Sequence, residues 1–283
     1  MTLDIHHDKE RGLFTAEVEG HGLDLEYQRR GDQLIFSHTG TAPALRGRGL
    51  AGQMVEHGLN WAAPLGLQVV PACSYVAVHL QRHPRWLRLT EPPAVQQVLN
   101  FWFGPLGSAD EGQLRNDWFR KSAAFDQEIS TRFGAILEQA LASQLTAWQH
   151  TPLGRLALIV VLDQFTRNSF RDTPRAFAGD ATALQASLAL LNDGGYAKLD
   201  PLQRWFALMP LEHAEDLGLQ QRSVQEFEAL AALDARLTGA LDYARKHLAV
   251  IERYGRFPHR NKILGRPSSP DELAYLAQPG SGF

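Results

Sequence analysis

The segment "ALRGRGLAGQ" (residues 44–53) places Gly47, Gly49 and Gly52 among two arginines, immediately before an amphipathic run. First-turn amides of a helix lack internal partners and carry partial positive charge. Glycines allow a diphosphate to approach those amides without an intervening Cβ, and Arg46 and Arg48 add charge. A structural turn, the plainer reading, needs one glycine rather than three. Cys73 lies where a predicted strand meets a predicted helix, a position that lowers a thiol pKa; a free cysteine of this kind also packs well as a small apolar group. His79 and His83 stand one helical turn apart, a metal-compatible spacing, but no local cysteine or carboxylate joins them and no metal is predicted. His6 and His7 read as solvated.

Further along the chain, polar groups are dense inside apolar text. "VVLDQFTRNSFRDTPRAF" sets Asp163, Arg167, Asn168 and Arg171 at i, i+4, i+5 and i+8, on one side of a helix. "LMPLEHAED" supplies Glu212, His213, Glu215 and Asp216, and "RYGRFPHRNKILGR" supplies Arg256, His259, Arg260 and Asn261 around a proline turn. Such sets suit an anionic substrate or acid–base chemistry. They equally suit a satisfied ion-pair network, since buried charges must be paired. Trp102, Trp118, Phe119 and Trp205 read as core.

Two kinds of element must position these groups. Up to residue 90, "FTAEVEG", "LDLEYQRR" and "QLIFSHTG" alternate apolar and polar side chains between hairpin-length turns. A helix follows at about 48–63, stopped by Pro64 and Gly66, then a strand in "LQVVPAC" and a helix in "SYVAVHLQR" ended by Pro84. The order is β-β-β-α-β-α. "EPPAV" at 91–95 is the expected linker, because adjacent prolines oppose helix and strand. Beyond it, helical runs dominate at 94–103, 115–145, 152–168, 175–192, 201–217, 220–233, 236–254 and 270–277. The expectation is an α+β protein of two domains, residues 1–90 and 91–283, the second all-α as an irregular bundle or degenerate hairpin array.

The 283 residues carry a net charge of −3, 44% hydrophobic and 21% charged side chains. Lys and Arg balance Asp and Glu at 9 against 9 before residue 91, and number 19 against 22 from residue 91 onward. Neither part has the basic excess of a nucleic-acid binder. No apolar run reaches the roughly 18 residues of a membrane span. The polar, acidic start does not read as a signal peptide, and the single cysteine fits a reducing cytoplasm.

Residues 5–86 resemble the short members of the GNAT acetyltransferase superfamily. The acetyl-CoA motif reads Arg46-Gly47-Arg48-Gly49-Leu50-Ala51, accompanied by "HDKERGLFTAEVEGH", "FSHT", "GLQVVPACSYV" and "RHPRW". The resemblance implies a small mixed sheet with two helices. It implies that backbone amides from Arg48 to Gly52 take the CoA pyrophosphate and that the strand edge at His38, Thr39, Gly40 and Thr41 takes the pantetheine arm. It gives Cys73 and His38 as catalytic candidates, His38 as a proton relay. Ser74 stands where the short subfamily usually has proline, and would cap the helix. Residues 95–283 resemble the bacterial family known as domain of unknown function 924 (DUF924), through "VLNFWFG", "WFRKSAAFDQEISTRFG", "LDQFTRNSFRDTPRAFAGD", "PLEHAEDL", "RYGRFPHRNKILGR" and "PGSGF". This implies a helical domain similar to tetratricopeptide (TPR-like) arrays. Thr166 replaces the usual proline of "LDQFPRN", which should straighten the helix there.

Three functions compete. The leading one is an acyl-CoA-dependent N-acyltransferase, with acetyl-CoA as co-substrate and an unidentified amine as acceptor, the helical domain positioning that acceptor. The others are a helical scaffold for a protein partner and a separate enzyme around Arg167, His213 and His259.

Overall fold

Period-two burial builds the first part of the chain. In the computed structural model, which describes residues 3–282, β1 (His6–Asp8), β2 (Leu13–Val18), β3 (His21–Arg30), β4 (Gln33–Thr41) and β5 (Gln68–Pro71) form one sheet in sequence order. Met1, Thr2 and Phe283, the last residue of "PGSGF", lie outside the described residues. Neighbouring strands run antiparallel except β4 and β5, which are parallel. Phe14, Ala16 and Val18 of β2, Leu23, Leu25 and Tyr27 of β3, and Leu34 and Phe36 of β4 fill the inner face. This is the alternation expected of a half-buried sheet. The strand β1 adds to the expected order, and its His7 is half-buried rather than fully solvated. It bonds Tyr27 Oη at 2.9 Å and stacks on Phe14 with ring centroids 4.0 Å apart.

The helix α1 (Leu50–Ala62) buries Leu50, Met54, Val55, Gly58, Leu59 and Ala62. It crosses the sheet at Gly58, where an added Cβ would stand 2.7 Å from Leu25 Cδ2 and 3.2 Å from Phe36 Cε1. The helix α2 (Ser74–Arg82) contributes Val76 and Leu80 to the same core. Prolines 92 and 93 do not interrupt the chain as a linker would. Pro92 occupies the N-cap and Pro93 the first turn of α3 (Pro93–Phe103), where a missing N–H costs nothing. Gln96 fixes that junction by donating to the carbonyls of Leu67, Leu89 and Glu91. The contacts divide the chain into two units, Met1–Gln113 and Leu114–Phe283.

The second unit is helical: α4 (Ala123–Leu141), α5 (Pro152–Ile159), α6 (Thr166–Ser169), α7 (Asp180–Asn192), α8 (Pro201–Glu212), α9 (Leu217–Leu233), α10 (Thr238–Tyr254) and α11 (Pro270–Leu276). The helix ends are written locally. Ser122, Thr151, Asp200, Asp216 and Ser269 each cap a following helix with a side-chain oxygen. Helices α5 and α6 are joined by a π-helical segment, Val160–Phe165, so residues 152–169 form one bulged helix. Thr166 continues it, its Oγ1 donating to Leu162 O at 2.7 Å. Helix α8 packs on α9, and α9 on α10. Trp102 and Trp118 are core, as expected; Phe119 is not. It is exposed and stacks on half-buried Trp205 with centroids 5.1 Å apart.

Candidate functional site: a glycine loop beside an open strand edge

Strand β4 and helix α1 are joined by the loop that holds the glycine-arginine stretch. Gly47 and Gly49 have φ of +78° and +75°, and an added Cβ at either would meet nothing. Gly49 is the left-handed N-cap of α1, and the first helical bond runs from Gln53 N to Gly49 O. The N–H groups of Leu50, Ala51 and Gly52 therefore have no hydrogen-bond partner among the described residues. Arg46 lies alongside, its Nε donating weakly to Thr41 O at 3.4 Å. Arg48, in the same loop, has its guanidinium engaged. Its guanidinium is bidentate on Glu19 at 2.9 and 3.0 Å.

The strand edge next to this loop is open for a structural reason. Strand β4 stays paired with β3 to Thr41, yet its pairing with β5 ends at Phe36, opposite Pro71. A bulge sits at that point: Glu26 faces His38 and Tyr27 faces Phe36, so Ser37 is the extra residue. Cys73 N donates to Phe36 O at 2.9 Å, the last tie before the strands part. Beyond it, His38, Thr39, Gly40 and Thr41 leave one backbone edge without a strand partner. His38 is exposed on this stretch.

At the fork, Cys73 rather than Ser74 is the N-cap of α2. Its Sγ lies 3.6 Å from Thr39 Oγ1. Burial alone would raise the thiol pKa. The amides of Val76 and Tyr75 and the Thr39 hydroxyl outweigh it, and the net direction is down.

A pocket of about 360 Å³ opens beside the loop, lined by Gly49, Gly52, Gln53 and Glu56 of α1's side and Tyr75, Val78, His79, Arg82 and His83 of α2's side. Sequence reasoning missed Gln53, Glu56, Tyr75 and Arg82, because two helices distant in sequence form the walls. Glu56 also joins His79, with Nε2 to Oε2 at 2.8 Å, and accepts from Trp86 Nε1 at 3.1 Å. Among the described residues no cluster of three or more His, Cys, Asp or Glu side chains could hold a metal ion.

The nine candidates of the second unit separate into several groups. Asp163, Arg167 and His213 form one network: His213 Nδ1 lies 2.7 Å from Asp163 Oδ1, and Arg167 Nη1 lies 3.0 Å from it. Glu212 instead pairs with His247 at 2.9 Å. Asn168 turns away to Asp126, together with Arg171. Arg256 holds Glu272, and Asn261 ties Ser268 to Arg266. Arg260 approaches the first group through Asp180, a residue the sequence did not single out, and His259 packs on Phe257 with ring centroids 5.6 Å apart.

The comparisons with known proteins divide the chain in the same order. Residues 14–89 match the family model of GCN5-related N-acetyl-transferase. Residues 98–280 match that of a bacterial protein family of unknown function, DUF924. A solved structure, that of the protein of unknown function ATU0120 from Agrobacterium tumefaciens, is 34% identical with a TM-score of 0.56. The similarity covers 65% of this chain and 97% of that one. No curated protein matches. Among the described residues no helix is long and apolar enough to cross a membrane. The chain thus belongs to the DUF924 family, and ahead of that family's segment it carries a GNAT-like acetyltransferase domain.

Proposed function

We propose that the first unit binds acetyl-CoA and transfers its acyl group to an amine. The observation that carries this reading is the pairing of three unpartnered amides, at Leu50, Ala51 and Gly52, with an open backbone edge at His38–Thr41. A diphosphate needs convergent N–H donors, and an amide-bearing arm needs free strand groups. One loop and the strand leading into it supply both. Arg46, Arg82 and His83 add positive or hydrogen-bonding groups around the same space.

Acyl transfer to an amine asks three things of the protein: a neutral nucleophile, a donor to the carbonyl oxygen as charge develops, and a proton for the departing thiolate. The backbone of β4 past the bulge provides N–H groups for the carbonyl oxygen. Cys73, at the fork and with its pKa drawn down, gives the proton to the leaving thiolate. His38, exposed on the same strand, takes the proton of the attacking amine.

Thermal unfolding of the full chain with millimolar acetyl-CoA tests this reading. Saturation at 100 times Kd should stabilise by about 2.7 kcal/mol. The double variant Arg46→Glu, Gly49→Val should lose the shift. An unshifted midpoint in the unaltered chain would overturn the proposal.

A further inference from the structure

The helical unit contains a buried arginine whose guanidinium has no hydrogen-bond acceptor among the described residues. Arg260 is 7% exposed, and its Nε is fully buried without a hydrogen-bond partner. The guanidinium makes no hydrogen bond within 3.5 Å among the described residues. Its nearest carboxylate oxygen, Asp180 Oδ2, lies 3.6 Å from Nη1. The rings of Phe257 and Phe177 stand 4.5 and 4.9 Å from the guanidinium carbon. Cation–π contacts of that kind hold the cation, but they do not satisfy donors that point outward in the guanidinium plane.

The surroundings are built, not incidental. Asp180 is already held by both Nη atoms of Arg167, at 3.0 and 3.1 Å, so it has little left for Arg260. Arg167 also contacts Asp163, whose carboxylate takes Nδ1 of His213 at 2.7 Å and Nε2 of Gln164 at 2.6 Å. Asp163 lies inside the π-helical segment of the bulged helix. Such bulges cost helix regularity and recur at functional sites. With Nδ1 committed to Asp163, His213 has only Nε2 for any further contact, and that atom meets no partner among the described residues. Ring contacts link the groups: the His213 and His247 rings lie 6.1 Å apart, His247 lies 5.4 Å from Phe257, and Arg260 sits against that same Phe257 ring. Burial first, then the charge of Arg260 and the neighbouring His247 and His213, pushes His259 down to about 4. Burial and the like charge of Arg167 lower Arg260 to about 10.

We propose that this cluster is a binding site for a small oxyanion, a phosphoryl or carboxylate group, with the Arg260 guanidinium as its principal donor and His213 Nε2 as a second contact. A planar guanidinium held against two aromatic rings is pre-organised to take two oxygens of one anion along its edge. A neutral His213 accepts from an O–H of the ligand, which a hydrogen phosphate possesses and an ionised carboxylate does not. The site is independent of the acyl-CoA reading of the first unit.

The experiment titrates the full chain, 15N-labelled at histidine, with inorganic phosphate and separately with acetate near neutral pH, followed by NMR and calorimetry. The His213 resonances are assigned from a His213→Gln spectrum. The expected result is a saturable shift of His213, with affinity reduced at least tenfold in Arg260→Met and unchanged in the Arg46→Glu, Gly49→Val double variant. Saturation by phosphate alone assigns a phosphoryl ligand, and saturation by acetate alone a carboxylate. Should Arg260→Met not fold, Arg260→Lys serves: it keeps the charge, loses the fork, and should still weaken binding about tenfold. No response of His213 up to about 50 mM of either anion, or one that the Arg46 and Gly49 changes remove, overturns the proposal.

Discussion

Gly49 holds φ at +75°, a conformation that costs a residue with a Cβ roughly 1–2 kcal/mol, more for a β-branched one. Because an added Cβ there would meet nothing, the penalty is one of backbone alone. Gly49→Val should therefore lower the unfolding midpoint modestly while removing acetyl-CoA binding, as read by calorimetry. Arg48 offers a second, opposite change. Its charge is paired with exposed Glu19. In Glu19→Gln the guanidinium is released, and CoA affinity should rise a few-fold at low salt and lose that gain at high salt. His259 supplies the pH dependence. Its folded pKa, about 4, lies below the unfolded value near 6.5, so the unfolded chain binds more protons between those limits. Stability from this group is full above about pH 6.5 and is lost as pH falls toward 4, on the order of 3 kcal/mol. Urea midpoints at pH 7 and pH 5 should differ less in His259→Gln than in the unaltered chain.

At the scale of elements, α1 owes its place to a gap on the sheet. Gly58 packs against Leu25 and Phe36, and a leucine there has no room. Gly58→Leu should cost about 1–3 kcal/mol by overpacking, measured by chemical denaturation. It should also weaken CoA binding, since α1 carries the loop amides. In the helical unit, Asp200 and Gln203 form a reciprocal capping box at the start of α8, the helix that leads to Glu212 and His213. Asp200→Ala should cost about 1 kcal/mol. The π-helical segment has no comparable signature. Its residues, "VVLDQF", read as ordinary helix, and only the three-dimensional path reveals that Asp163 sits on a bulge.

Across the whole molecule the two proposed sites belong to separate units, and hydrogen exchange of the intact chain can follow both at once. Acetyl-CoA should slow exchange at the free-edge amides among residues 38–41 and at the loop amides of residues 50–52, which lack partners among the described residues. Inorganic phosphate should slow exchange around residues 160–167 and 258–261. Protection by either ligand confined to the other unit would contradict the corresponding assignment.

Much of this organisation was legible in the chain. Alternation at 13–41 disclosed three strands, and helical spacing disclosed most helices of the second unit, because burial of one face imposes a period on the residues that supply it. The run 115–145 was less legible: Ser122 caps α4, and the preceding residues turn instead of coiling. The glycine loop could be read because each conformational demand there is met by the residue itself. What the tertiary structure decided were the partners. The sequence put Asn168 with Asp163, and folding sent it to Asp126; Arg48 went to Glu19, and Glu56 to His79. Asp180 joined Arg167 to Arg260, far apart in the chain, and left Arg260 without a hydrogen-bond acceptor among the described residues. A side chain's partner depends on which helices meet, and that is settled by the packing of the whole core, not by any local stretch.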